Sequence, residues 1–151
     1  MIVTFCGHSH FASTLLQKQR LLALLEEQVG NMQADFYLGG YGGFDEFAYM
    51  CSKQYKETHP EIALVFVTPY LTESYERNHL RDAEKRYDAV LYPEIEDKPR
   101  RFAISYRNKY MVEKADIVIA YIDHSWGGAY QTYLHAKRKG KVVFNLAEII
   151  D

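Results

Sequence analysis

The chain has 151 residues, 48% apolar and 15% aromatic, enough for one compact core of ordinary domain size. Its 18 basic and 20 acidic residues, a net charge of −2 and a pI near 6.3 exclude a general attraction to nucleic acid or anionic membrane, so any anion site has to be local. No stretch reaches the length of a membrane span and the amino-terminal MIVTFCGHS lacks a basic leader, which points to a cytoplasmic protein.

Ile2 to Cys6 is β-branched and aromatic and stops at Gly7, as a buried first strand should. Cys6 and Cys51 are the only cysteines, too few for a disulfide framework, and both are expected as reduced thiols. His8 and His10 have a spacing that suits a metal on an extended strand, but no carboxylate or thiol lies nearby to complete the set, so no metal is expected. Thr14 and Gln17 have capping-box spacing, and Leu15, Leu22, Leu25 and Val29 recur on one helical face until Gly30.

Asp35 to Leu38 reads as a short second strand that enters FYLGGYGGFDEF. Four of the nine glycines, Gly39, Gly40, Gly42 and Gly43, sit in that run around Tyr41. Glycine lets backbone amides approach a ligand, and the helix that follows offers unpaired N–H groups and a positive dipole end, so the run reads as a phosphate cradle. Asp45 and Glu46 at the helix start complement the dipole. Phe44, Phe47, Ala48, Cys51 and Tyr55 form one helical stripe, which Pro60 ends.

Ile62 to Val67 is a continuous apolar run, as expected of a parallel strand covered on both faces. Residues 69–86 are a polar excursion with room for a short helix, either a lid or a solvated surface insertion. Asp88 to Tyr92 reads as a fourth strand, Pro99 to Lys114 as a helix and Asp116 to Tyr121 as a fifth strand. A helix over Gly128 to Lys139 and a strand over Val142 to Asn145 complete the chain. This alternation predicts a single α/β domain over 1–151 around a mainly parallel sheet, with loops 7–13, 39–43 and 122–128 meeting at the strands' carboxyl ends.

The segment HSWGGAYQT repeats the glycine-to-helix pattern, with Gly127 and Gly128 after a strand and Thr132 in the first turns of the next helix. Trp126 beside it could stack on a base or serve as a partly buried anchor, and Asp123 could accept ribose hydroxyls. Arg107 shares a stripe with Ala103 and Met111 that faces the sheet, where a charge needs a partner. A bound phosphate or carboxylate would supply one, as would an internal salt bridge to Glu94 or Glu96. The 13 tyrosines are expected to be mostly half-buried core, with some lining a pocket or subunit interface.

These segments resemble the SLOG superfamily, which unites the LOG proteins once labelled possible lysine decarboxylases with the DNA-processing protein A domain; the likeness is nearest to its small stand-alone bacterial branch. LOG enzymes share an FCGSS start, a YGGG turn with a further glycine, and an arginine, methionine and AD pattern leading to PGGxGTxxE. Phe5, Cys6, Gly7 and Ser9 match the first, Gly39, Gly40 and Gly43 the second, and Arg107, Met111 and Asp116 keep the spacing of the third. The last motif departs: Gly127 and Gly128 are present, but no proline precedes them and GGAYQTYLHAK has no glutamate, the residue that helps LOG enzymes hydrolyse an N-glycosidic bond.

The resemblance implies a Rossmann-like three-layer sandwich, a homodimer or larger homo-oligomer, and Arg107 near a ribose phosphate. The expected function is binding of a nucleotide or nucleotide derivative, a nucleoside phosphate or an ADP-ribose-like molecule, for sensing or signalling. The expected ligand set is Gly7, His8, Ser9, Gly39, Gly40, Tyr41, Gly42, Gly43, Asp45, Arg107, Asn108, Asp123, Trp126, Gly127, Gly128 and Thr132. The alternatives are a nucleoside monophosphate N-glycosidase, with Arg107, Glu94 or Asp123 as first catalytic candidates and Asp45 or Glu46 as further acids, and a single-strand DNA module, which the acidic balance disfavours.

Overall fold

The structure, a computed structural model, describes residues 1–71 and 79–148. Six strands form one all-parallel sheet: β1 (Ile2–Gly7), β2 (Ala34–Leu38), β3 (Ile62–Val67), β4 (Ala89–Leu91), β5 (Ile117–Tyr121) and β6 (Val142–Asn145), in the order β4-β3-β2-β1-β5-β6. Between them run α1 (Leu15–Gln28), α2 (Gly43–Thr58), the short α3 (Arg81–Arg86), α4 (Ala103–Lys114) and α5 (Gly128–Arg138). The chain winds outward from β1 to β4 and then returns to the other side of β1 for β5 and β6. Adjacent β1 and β5 therefore send their loops in opposite directions, which opens a crevice at their carboxyl ends.

The sheet is covered on both faces, which is why its strands read as unbroken apolar runs. Val3, Phe5, Phe36, Leu38, Leu64 and Ile119 pack under α1 and α2. The alternate positions Cys6, Val118 and Ala120 meet Val112 of α4 and Tyr133 and Ala136 of α5, while Tyr37, Val65 and Val67 meet Met111. This is the α/β Rossmann-like sandwich that the alternation and the resemblance imply.

Side chains fix the strand boundaries. Asp116 stands just before β5 because its carboxylate accepts the Ile2 N–H at 2.8 Å while its own N–H donates to the Ile2 carbonyl, pinning the starts of β1 and β5 together. Asp88 precedes β4 for a similar reason: it accepts the Leu64 N–H at 2.7 Å and the Lys56 ammonium at 2.6 Å. The segment expected as a helix from Pro99 opens as a 3-10 turn over Arg100–Phe102 and becomes α-helical at Ala103.

Thr14 and Gln17 do form a capping box, but the apolar face of α1 differs from the expected stripe. Leu21, Leu24, Leu25 and Val29 are buried, whereas Leu15 is 70% exposed. At about 100° per residue Leu15 lies roughly 120° around the helix from Leu21, so it points away from the sheet. The α2 stripe of Phe44, Phe47, Ala48, Cys51 and Tyr55 is buried throughout. Of the polar excursion over 69–86, α3 supplies the expected short helix, and residues 72–78 lie outside the described residues.

Candidate functional site

A cavity of about 220 Å³ opens at the crevice between the ends of β1 and β5. It is lined by Phe5, Cys6 and Gly7 of β1, by Ile104, Arg107, Asn108 and Met111 of α4, by Gly128, Ala129 and Thr132 of α5, and by Ser9, Tyr41 and Asp45 from the other loops. Eight of the residues expected to bind a ligand thus come together: Gly7, Ser9, Tyr41, Asp45, Arg107, Asn108, Gly128 and Thr132.

Arg107 is 2% exposed, and among the described residues it is held by two backbone carbonyls and a neighbouring amide. Its Nη1 donates to the carbonyls of Gly39 at 3.0 Å and Val67 at 2.7 Å, where β2 and β3 end, and its Nε donates to Asn108 Oδ1 at 2.9 Å. The guanidinium caps two strand ends and carries its charge to the cavity wall. No salt bridge joins it to Glu94 or Glu96 among the described residues; Glu94 is exposed and away from the cavity.

Among the described residues, Asp45 feels that charge. Its carboxylate accepts the Tyr41 N–H at 2.9 Å. Burial pushes its pKa up from 3.8 to about 6, against the downward pull of that N–H and of the Arg107 guanidinium. The side chain is half-buried at the cavity wall, so it holds its proton to a higher pH than an ordinary aspartate. Gly39 makes the arrangement possible, because a Cβ there would lie 3.1 Å from Asp45 Oδ2 and 3.3 Å from Arg107 Cζ. Glu46, beside it in sequence, instead binds the Arg86 guanidinium at 2.9 and 3.0 Å.

The two glycine-to-helix turns have different fates. At α2 the Gly43 N–H donates to the Ser9 carbonyl at 2.8 Å and the Phe44 N–H to the His8 carbonyl at 3.3 Å, so the β1–α1 loop occupies that helix terminus. A Cβ on Gly43 would stand 2.8 Å from the Ser9 and Phe11 carbonyl oxygens, and one on Gly42, at φ +94°, 2.9 Å from Ser9 Cα. Gly40, at φ +66°, packs on Phe66. The run 39–43 is thus a close-packing turn whose leading helix amides are already bonded. At α5, Gly127 caps the helix at φ 95° with no side-chain hydrogen bond, and nothing lies within 4 Å of a Cβ built on Gly127 or Gly128. Among the described residues no acceptor meets the first amides of that turn. The Thr132 hydroxyl donates to the Gly128 carbonyl at 3.0 Å, and the residue lines the cavity.

His8 and Asp123 fall just outside the cavity, in a group that includes His124, which sequence reasoning missed. Asp123 donates its backbone N–H to His8 Nε2 at 3.2 Å. The His8 ring stacks on His124 with centroids 3.5 Å apart, and His124 stacks on Trp126 at 3.8 Å. Burial, then the nearby His124, lower the His8 pKa, in keeping with a neutral ring that accepts at Nε2. The donor atoms of His8, Asp123 and His124 lie within 4.8 Å of one another, with Asp123 Oδ1 3.3 Å from His8 Nε2 and 3.9 Å from His124 Nε2, while His8 Nε2 also accepts the Asp123 N–H. His10, exposed, takes no part.

The other cavity residues that sequence reasoning missed are Phe5, Cys6, Ile104, Met111 and Ala129. The i, i+3, i+4, i+7 spacing of Ile104, Arg107, Asn108 and Met111 carried the signal for the α4 side. Both cysteines are free and buried, and burial pushes Cys6 up to about 12, so it lines the cavity as an apolar thiol.

No family model matches the chain. It is 29% identical over 143 residues to a UPF0398 protein of Halalkalibacterium halodurans, covering 88% of this chain and 72% of the relative. It is 26% identical over 139 residues to the SPbeta prophage-derived protein YoqJ of Bacillus subtilis, covering 80% of each. Two DNA processing protein A structures share the fold: that of Helicobacter pylori, described for its single-stranded DNA binding mode, at TM-score 0.63 and 19% identity, and that of Streptococcus pneumoniae at 0.64 and 20%. They match 96% and 95% of this chain, which spans only 64% and 49% of theirs. Sequence relatives, fold and the glycine and arginine motifs together fit a small stand-alone protein with the SLOG-type Rossmann-like fold.

Proposed function

We propose that the cavity binds a nucleotide or nucleotide derivative, a nucleoside phosphate or an ADP-ribose-like molecule, and that the protein senses or signals its presence. The observation that carries the reading is that the open amide turn entering α5 at Gly127–Gly128 and the buried guanidinium of Arg107 border the same cavity at the switch point. Phosphate oxygens accept from the first amides of α5 and face Arg107, while Asp45 and Asn108 are placed for hydroxyls. A thermal-shift panel of nucleoside monophosphates, nucleoside diphosphates and ADP-ribose tests this. A bound ligand at about 100 times its dissociation constant adds roughly 2.7 kcal/mol, a rise of roughly 5 to 10 °C for this size. A midpoint that none of them moves overturns the reading.

Two other readings each have one supporting observation. Asp45, a cavity carboxyl whose pKa burial raises, is the acid an N-glycosidase would need, although α5 carries no glutamate. Free base released from a nucleoside monophosphate, and lost in Asp45→Asn, would establish it. The fold likeness to DNA processing protein A favours a single-stranded DNA contact. Such a contact would weaken steeply with salt, and binding that hardly changes with salt removes it.

A further inference from the structure

We propose that the exposed face of Trp126 is the platform on which a ligand's nucleobase stacks, as the fourth layer of a ring stack that begins at buried His8. The inference rests on the nucleotide reading above and assigns its base.

His8 is 6% exposed and is held at the end of β1 by the Asp123 N–H. His124 lies on it with planes 15° apart, and Trp126 lies on His124 with planes 22° apart. Each ring is more open than the one beneath it, and the indole is 69% exposed. One indole face is covered by an imidazole, so this exposure comes chiefly from the opposite face. A large flat apolar ring held rigidly from below and open above is what base stacking requires, and it discriminates little between bases because every base has a π-face.

Position agrees with this. Trp126 immediately precedes the Gly127 cap, and the free amides of α5 point back along the helix axis toward it. A phosphate on those amides leaves the attached nucleoside at the cavity mouth, beside the indole. The platform also accounts for the group that the cavity does not use: His8 and His124 support and orient Trp126.

Trp126 is the sole tryptophan, so intrinsic fluorescence reads this one side chain. Wild type, Trp126→Ala and Trp126→Phe are titrated with AMP and with ribose 5-phosphate, with affinities from calorimetry and quenching followed where the indole is present. The expected result is saturable quenching by AMP, AMP tighter than ribose 5-phosphate by roughly 5- to 100-fold, loss of that advantage in Trp126→Ala and its partial return in Trp126→Phe. Ribose 5-phosphate affinity stays unchanged in both variants. Equal affinity of wild type for the two ligands, or an equal loss for both in Trp126→Ala, overturns the platform and leaves the phosphate cradle standing. If neither ligand binds, the same titration is made with ADP and ADP-ribose, and binding of none of the four overturns the reading of the cavity and the platform with it. Fluorescence that shifts with protein concentration alone, in step with sedimentation, would mean that a second copy of the chain covers the indole and would overturn the proposal.

Discussion

Asp45→Asn is expected to stabilise the protein at neutral pH and to lose that advantage in acid. The carboxyl titrates near 3.8 in an unfolded chain and near 6 in the fold. A gap of about two units at 1.36 kcal/mol each is worth about 3 kcal/mol, and water entering through the cavity mouth reduces this to about 1 to 3 kcal/mol. Because the folded pKa is the higher one, the ionised carboxylate costs the folded state its full amount above pH 6, less between 6 and 3.8, and nothing below 3.8. Asparagine keeps an acceptor for the Tyr41 N–H but never ionises. Melting followed by circular dichroism from pH 4 to 8 should place Asp45→Asn roughly 3 to 10 °C above wild type at pH 8 and level with it at pH 4. A difference that does not vary with pH, or an asparagine variant less stable at pH 8, refutes a costly buried charge at this position.

Gly7→Ala should cost about 1 to 3 kcal/mol in urea unfolding, since the new Cβ would fall 2.3 Å from Phe44 Cγ in the packed core; an unchanged midpoint would mean that Phe44 moves freely. Asn145→Ala should cost about 2 to 4 kcal/mol by the same measurement, because its side chain satisfies both the Ile122 N–H and C=O at 3.0 Å and also accepts the Ala147 N–H. Gly128→Pro removes one amide at the first helical position, where proline's φ is tolerated, so nucleotide affinity should fall roughly tenfold with little change in melting. Burial holds Cys6 near 12 and Cys51 near 11, so a disulfide thiol reagent at pH 8 should find about no reactive thiol in the native protein and two after denaturation.

The strands were legible because a parallel sheet covered on both faces leaves an apolar run with sharp ends, as in Ile62–Val67. The capping box at Thr14 and the stripe of α2 were legible because each is a short-range pattern. The burial of Arg107 could be read from its neighbours Ala103 and Met111 on α4, but its partners could not: the Gly39 and Val67 carbonyls lie 68 and 40 residues away and have no side-chain signature. The contrast between the two glycine turns was hidden for a similar reason. Both have glycines between a strand and a helix, and only the return path of residues 8–11 decides which turn is filled. His124 escaped notice because a ring stack needs three residues aligned in space, and nothing in the spacing of 8, 124 and 126 announces it.

The loop that seats the His8 and Ser9 carbonyls on the start of α2 acts as a built-in occupant of that helix terminus, present at an effective concentration no dissolved anion can match. A free anion therefore has little to gain from competing there. Stabilisation by phosphate or sulfate should saturate as one site per chain, at α5. Any movement provoked by a ligand should likewise begin in the β5–α5 loop, because the β1–α1 loop is already held in place by its own backbone.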